Sequence, residues 1–480
     1  MRPAASMTSP DPTVEVRRIF DAQVANRWAI ATSSAAQRIE RLIRLRAAMR
    51  ERRLELLEAI HADFGKQAVE AELTELFPAV EEVTLAIHQL EKWMKPRRVS
   101  TPFLLLGSRS EVRYEPKGVV LVLAPWNYPF GLAIAPVVSA LAAGNTVMLR
   151  PSEKTPRTAR FIQDLLAKVF PENEVAVLVG DRSVADALLE LPFDHILFTG
   201  SPGVGRKVMA AAARNLTPVT LELGGKSPAI VDETADVESA AERLGWAKFV
   251  NAGQTCLAPD YVLVHETVAP RLEAALRAVV ERFYGADEET RLRSRDLASL
   301  VDAAAAGRLE RAVKETVARG ARLVVGGRVD TAARRMSPTV LADVAPDSAI
   351  MAEEIFGPVL PLLTYRDLGE AIRRVQGRQK PLGLYLFSRS NRQVEEVLRG
   401  TTAGGTCVNN ALIHYANPHL PFGGVGESGM GNYHGRWGFE AMSHPRAVLR
   451  QTFWASTSLL FPPYTARVAR FVSLLRRISG

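Results

Sequence analysis

The chain has 480 residues, 47% apolar and 23% charged, with 33 glycines and 29 prolines; this is a globular composition for two or three domains and it excludes long disorder. The net charge of +8 is modest and comes without a basic block interleaved with aromatics and without helix-turn-helix or zinc-finger spacing, which argues against nucleic acid. Two cysteines imply no disulfide framework, the N-terminus lacks an apolar signal core and no apolar run is long enough to span a bilayer, so a reducing cytoplasm is the expected setting.

Residues 1–12 read as a frayed leader with Met7 as an alternative start. From Thr13 to Trp93 the pattern is helical. Leu42, Leu45, Met49, Leu56, Ile60 and Phe64 recur at helical spacing, and a second face runs through Leu73, Leu76, Val80, Val83, Ile87 and Leu90. Residues 96–117 are strand-like. Five short apolar runs follow at Val119–Leu123, Thr146–Leu149, Val175–Val179, His195–Phe198 and Val219–Leu221, separated by helical segments. That alternation predicts a parallel sheet with right-handed crossovers and a ligand crevice beyond the carboxyl ends of its strands. Asn127, Glu153, Gly200 and Glu222 all lie at or after such ends.

A second α/β series follows Gly225, with strands near Ala229–Val231, Tyr261–Val264, Leu323–Val325, Val359–Thr364, Leu382–Phe387 and Thr406–Val408. Cys256 falls between a helix at about 237–250 and the second of these strands. Residues 445–453 are strand-like and are expected to pair with 98–117. In the tail, Val468, Phe471, Val472, Leu475 and Ile478 share a helical face, with Arg467, Arg470 and Arg477 off it. Such a helix either docks on the protein body or rests on anionic lipid.

Three side-chain types that aldehyde oxidation through a thioester needs occur in short motifs. Cys256 ends Asn251-Ala252-Gly253-Gln254-Thr255-Cys256. Glu222 lies 34 positions earlier in Leu221-Glu222-Leu223-Gly224-Gly225-Lys226, and Asn127 lies in Pro125-Trp126-Asn127-Tyr128-Pro129. Each also has a plain interpretation. Cys256 is either a nucleophile or an inert buried thiol. Glu222 is either a general base raised by burial or half of a surface ion pair. Asn127 is either an oxyanion donor, with the Cys256 N–H as its partner, or a turn asparagine. Cys407, inside an apolar strand, is read as inert. The segment Phe198-Thr199-Gly200-Ser201-Pro202-Gly203-Val204-Gly205 ends a strand and opens a helix, where free N–H groups bind phosphate, although its spacing is neither G-x-G-x-x-G nor a P-loop. Glu153 and Glu354 are candidate ribose ligands. The eight scattered histidines form no metal motif.

As an ordered set these motifs, together with Glu354-Ile355-Phe356-Gly357-Pro358 and Pro421-Phe422-Gly423-Gly424, resemble the aldehyde dehydrogenase superfamily over about residues 15–450. Lys92-Trp93-Met94-Lys95-Pro96-Arg97-Arg98, Pro421 to Gly431 and Tyr433-His434-Gly435 resemble its class 3 branch of fatty, aromatic and coniferyl aldehyde dehydrogenases. The resemblance implies an α/β fold: a Rossmann-type parallel-sheet NAD(P)-binding domain (13–97 and 118–222), a catalytic domain (223–410), a β oligomerisation arm (98–117 and 440–455) and a basic amphipathic tail (462–480). It implies Cys256 as nucleophile, Asn127 as oxyanion donor and Glu222 as deacylation base. Gly200 and Ser201 would meet the pyrophosphate, Arg150 and Glu153 the adenosine ribose, and Glu354 and Phe356 the nicotinamide side, with Gly205 and Leu223 also among the cofactor-binding residues. Arg150 stands where the family usually has lysine, which changes the donor geometry and leaves NADP open, while Glu153 near the ribose disfavours a 2'-phosphate by like charge, so NAD is expected. Tyr128, Leu132, Tyr415 and Phe422 either line an apolar tunnel for a medium- or long-chain aliphatic or aromatic aldehyde or pack the core. A cytoplasmic homodimer is implied, and the tail allows peripheral membrane contact. Two alternatives stay open: a cofactor-independent cysteine hydrolase or thioesterase, and a non-catalytic binding protein.

Overall fold

In the computed structural model, which describes residues 12–452, 457 and 461–479, the amphipathic N-terminal stretch folds as helices Pro12–Ala31, Ala35–Glu51, Arg53–Phe64 and Phe77–Met94. Nearly all of the expected leader lies outside the described residues. Ser34 opens the second helix with a capping box: its hydroxyl accepts the Gln37 N–H while the Gln37 side chain accepts the Ser34 N–H. Gly65, at φ 62°, closes the third in the left-handed conformation that glycine adopts without steric cost. Leu42, Leu45, Met49, Leu56, Ile60, Phe64, Val83 and Leu90 are buried, as their spacing predicts. Leu73 is not; it is 61% exposed. The chain winds as a π-turn over Glu72–Leu76. The extra residue in that turn rotates the helix face, so Glu75 points inward where a 3.6-residue period would put Leu73.

The first sheet has the order Gly429–Met430, Val219–Leu223, His195–Gly200, Val119–Leu123, Thr146–Arg150 and Val175–Val177. All pairings are parallel except that of Gly429–Met430 with Val219–Leu223. Val119–Leu123 and Thr146–Arg150 are buried throughout, which is why they read as continuous apolar runs and not as alternating ones. Gly429–Met430 was not expected as a strand, because a two-residue glycine-containing segment carries no strand pattern.

The second sheet runs Arg322–Val325, Thr339–Ala342, Val359–Tyr365, Tyr261–His265, Pro228–Val231, Gly383–Phe387 and Gly405–Val408. Arg322–Val325 pairs antiparallel with its neighbour and the remainder pair parallel. Thr339–Ala342 is the strand that the apolar pattern missed. It is four residues long, directly after Pro338, and the left-handed Asp343 (φ 56°) ends it.

The arm is a third sheet, Arg97–Val99, Ser108–Pro116 and Ser443–Gln451. The expected pairing holds, in register from Ser443 opposite Pro116 to Gln451 opposite Ser108. The single strand-like segment 96–117 is broken by the Phe103–Leu105 turn after Pro102, which has no N–H to donate to a ladder. Residues 453–456, at the expected end of the arm, lie outside the described residues. The tail forms a helix, Ala466–Ser479, on which Val468 and Phe471 are half-buried and Val472 is exposed. The side chains of Leu475 and Ile478 fall outside the described part of that helix. Among the described residues no helix is long and apolar enough to cross a membrane.

Candidate active site

Cys256 stands at the end of a strained approach. Helix Val237–Phe249 gives way to a turn in which Asn251 (φ 52°), Ala252 (φ 51°) and Gly253 (φ 72°) are all left-handed. For a residue with a Cβ that conformation costs on the order of 1–2 kcal/mol. Four contacts hold it. The Asn251 N–H donates to Glu70 Oε1 at 2.8 Å and Asn251 Nδ2 to the Asn127 carbonyl at 2.7 Å. Gln254 Nε2 donates to the Ser299 carbonyl at 3.1 Å, and Gln254 Oε1 accepts the Val301 N–H at 2.8 Å. Gly253 has a further reason to be glycine, since a Cβ there would stand 2.2 Å from the Gly357 carbonyl oxygen.

The turn after Val119–Leu123 brings Asn127 against this loop. Asn127 is buried, and its Nδ2 donates to the Gln254 carbonyl at 3.0 Å, which uses one of its two N–H groups. Next to it, the Tyr128 hydroxyl is 2.6 Å from Thr255 Oγ1. Glu222 reaches the site from the end of Val219–Leu223. It is 3% exposed, and neither carboxyl oxygen has a hydrogen-bond partner. Burial pushes its carboxyl well above the ordinary range.

Burial pushes Cys256 up to about 12, and the carboxylates of Glu354 and Glu222 push the same way against the local backbone N–H groups. Reaction therefore needs a proton acceptor close by. Glu354 is itself raised to about 8, by burial first and by Asp260 second. Its carboxyl lies against Gly224, where a Cβ would stand 2.1 Å from Oε2. Asp260 fastens this segment: it accepts the Ile355 N–H at 2.9 Å and pairs with Lys226, whose ammonium also donates to the Glu353 carbonyl at 2.7 Å. Lys248 is wholly buried with no partner for Nζ, and burial lowers it to about 8.

Of the residues expected at a nucleotide, Arg150, Gly200 and Leu223 end strands of the first sheet and Glu153, Ser201 and Gly205 follow such ends, while Glu354 and Phe356 precede strand Val359–Tyr365 of the second sheet. Ser201 opens helix Pro202–Ala213 without making a side-chain cap, so its hydroxyl and the Gly203 N–H are available to an anion; Pro202 has no N–H, and those of Val204 and Gly205 donate to the Ser201 carbonyl. A methyl added to Gly203 would meet nothing within 4 Å, whereas Gly205 packs on Leu223, which a Cβ would meet at 2.7 Å. Arg150 pairs with Glu153 at 2.6 Å and donates to the carbonyls of Gly180 and Asp181, each at 3.2 Å, while its buried Nε lacks a partner. Phe356, at φ 47°, meets Trp126 edge-on with centroids 5.3 Å apart. An open helix terminus, a glycine with free space and an incompletely bonded guanidinium fit a dinucleotide.

A largely apolar cavity opens beside Cys256. Tyr128, Leu132, Tyr415 and Phe422 line it together with Trp246, Leu257, Leu412 and His434. Cys407 lies elsewhere, half-buried on Gly405–Val408 at the edge of the second sheet. The Asp260–Lys226 anchor, Lys248 and the Glu70 contact were absent from the sequence-based candidates. Lys226 does stand in the motif after Gly224-Gly225, which was the available clue. Among the described residues no group of His, Cys, Asp or Glu is arranged to hold a metal ion.

The aldehyde dehydrogenase family model matches residues 8–448. The 4,4'-diaponeurosporen-aldehyde dehydrogenase of Staphylococcus aureus is 43% identical, over 91% of this chain and 94% of its own. The probable coniferyl aldehyde dehydrogenase of Pseudomonas aeruginosa is 42% identical over 95% of each chain, and mouse aldehyde dehydrogenase family 3 member B1 is 41% identical over 92% of each. The substrate-bound structure of Staphylococcus aureus AldH superposes with a TM-score of 0.91 at 41% identity, covering 96% of this chain and 99% of that one. An NAD-dependent aldehyde dehydrogenase from Sinorhizobium meliloti superposes with a TM-score of 0.84 at 29% identity, over 92% and 88%. By fold, site and relatives alike, this chain belongs to the aldehyde dehydrogenase family, with class 3 members among its relatives, and is an oxidoreductase that acts on aldehydes.

Proposed function

We propose that the protein oxidises apolar aldehydes, medium- or long-chain aliphatic or aromatic, to carboxylic acids through a thioester on Cys256, with NAD as its cofactor. The observation that carries this is Cys256 in the wall of an apolar cavity, with Asn127 bonded to the Gln254 carbonyl on the same loop and the unpartnered Glu222 close enough for its charge to act on the thiol. The Cys256 thiol passes its proton to the Glu354 carboxylate, which leaves Glu222 free for the second half, and its sulfur adds to the aldehyde carbon. The free N–H of Asn127 Nδ2 and the Cys256 backbone N–H stabilise the resulting alkoxide. Gly200 and Ser201 would hold NAD at its pyrophosphate, with Gly205 and Leu223 also against the cofactor, Arg150 and Glu153 at its adenosine ribose and Glu354 and Phe356 at its nicotinamide side; bound there, it would supply the hydride acceptor for the step from adduct to thioester. Glu222 then takes a proton from water, the oxygen attacks the acyl carbon, and the C–S bond breaks to release acid and thiol. A burial-raised carboxyl with no ion-pair partner suits that task, because nothing else competes for its lone pairs.

Residues 13–97 and 118–222 act as the cofactor-binding domain and 223–410 as the catalytic domain. A homodimer is supported by two half-exposed sheet edges, Ser443–Gln451 on the arm and Gly405–Val408 on the second sheet, which offer unpaired backbone groups to a second copy. The exposed Val472, on a helix whose other faces carry Arg470 and Arg477, supports a peripheral lipid contact of a cytoplasmic enzyme. The test is reduced-nicotinamide absorbance with an aldehyde panel and either NAD or NADP. A cofactor-independent hydrolase would instead cleave esters without nucleotide.

A further inference from the structure

The segment from the end of helix Arg53–Phe64 through the π-turn carries a pair of charges that stability explains poorly. Lys66 Nζ is 2.9 Å from Glu75 Oε1, and both side chains are 0% exposed. Taking two charges out of water costs more than their attraction commonly returns, and well-packed apolar pairs serve stability as well or better. The geometry around the pair supplies a different reason for it. Glu75 Oε2 accepts the Phe130 N–H at 2.9 Å. Lys66 Nζ lies 4.7 Å over the Tyr128 ring. Both contacts fall on the turn that begins at Asn127, one residue beyond it and three residues beyond it. Glu70, whose carboxyl feels the Lys66 charge, accepts the Asn251 N–H on the cysteine loop. The π-turn rotates Glu75 inward to reach Phe130.

We infer that Lys66 and Glu75 are positioning residues for the oxyanion pocket: together they fix the Asn127–Phe130 turn and so hold Asn127 against the loop that carries Cys256. This rests on the catalytic assignment of Asn127. Neither residue touches substrate. Each acts through the turn, Glu75 by its bond to the Phe130 N–H and Lys66 by neutralising Glu75 and seating the Tyr128 ring, whose hydroxyl meets Thr255.

The test is a double-mutant cycle on the full-length enzyme with NAD and a medium-chain aldehyde. Lys66→Met/Glu75→Leu removes the charges and the acceptor for Phe130 while keeping an apolar filling. Its kcat is expected to fall about 10- to 100-fold, the scale of a misplaced catalytic group, with KM for NAD changed far less. Lys66→Met/Glu75→Gln keeps an amide oxygen for the Phe130 N–H and is expected to recover most of that kcat. In an Asn127→Ala background, Lys66→Met/Glu75→Leu is expected to cost less than about 2-fold more, because the group it positions is gone. An equal loss in both backgrounds, or an unchanged kcat with Asn127 present, overturns the inference. Wild-type turnover by Asn127→Ala alone overturns the catalytic assignment beneath it, which is a separate result. Should the leucine variant not fold, Glu75→Asp keeps the charge but withdraws the acceptor from Phe130 by one methylene, and it passes through the same cycle with the same expected non-additivity.

Discussion

Glu354 occupies the space that a side chain on Gly224 would need: a Cβ there would stand 2.1 Å from Oε2 and 2.7 Å from the carboxyl carbon. The motif after Glu222 and the segment before Phe356 are therefore fitted to each other across 130 positions of sequence. Gly224→Ala must displace the end of a flexible side chain and leaves the backbone in place. The variant is expected to fold with a near-unchanged melting temperature and to bind NADH about 10-fold more weakly, a loss of ~1.4 kcal/mol. Fluorescence titration with NADH checks this.

The raised carboxyl of Glu354 makes stability depend on pH. Its proton binds more tightly in the folded chain (about 8) than at the ordinary carboxylate value of 4.5. The folded state thus holds more protons than the unfolded chain between those values. This contribution to stability is complete below the ordinary value and is lost as pH rises through about 8. Glu354→Gln, which does not titrate, is expected to lose less melting temperature between pH 5 and pH 9 than the wild type. Thermal denaturation of both proteins across that range is the measurement.

Glu153 is 46% exposed and Arg150 10% in their ion pair, so the pair contributes little to stability. At the adenosine ribose, where we propose it lies, the Glu153 carboxylate would repel a 2'-phosphate. Glu153→Gln is expected to raise kcat/KM for NADP by about 10-fold, roughly 1.4 kcal/mol, and to change that for NAD less. Steady-state kinetics with both nucleotides decides it.

The apolar cavity makes a graded prediction about substrate. Each methylene buried on the cavity wall is worth about 0.8 kcal/mol. Across straight-chain aldehydes kcat/KM is expected to rise about 3- to 4-fold per added carbon until the cavity is filled. Leu132→Trp is expected to flatten that series by filling the space. A flat wild-type series would remove the cavity from the account of specificity.

The strands of the parallel sheets and the short motifs around Cys256, Glu222 and Asn127 were legible in the sequence because each is local, and the arm pairing followed from two strand-like segments although Ser443 and Pro116 lie 327 positions apart. A buried strand announces itself in four or five apolar residues, and a motif keeps its parts within a few positions. What was missed depends on groups far apart or on local geometry without a period. Glu75 and Leu73 exchange faces because a single π-turn shifts the helix, which no 3.6-residue pattern anticipates. Asp260 bonds Ile355 across 95 positions and Glu75 bonds Phe130 across 55, so neither partner marks the other in the chain. Lys248 reads as a helix-surface lysine but is wholly buried, because the neighbouring packing, not its own sequence context, decides its exposure.

The central claim is that acyl transfer runs through Cys256 and that Glu222 releases the acyl group. Glu222→Gln mixed with aldehyde and NAD, quenched in acid and followed by intact and peptide mass spectrometry, tests it most directly. The expected result is one reduced nicotinamide per active site in a burst, an acyl group on the peptide containing Cys256, and a steady rate lowered about 100-fold or more. Wild-type steady turnover by this variant, or a burst with the acyl group on any other residue, would contradict the account.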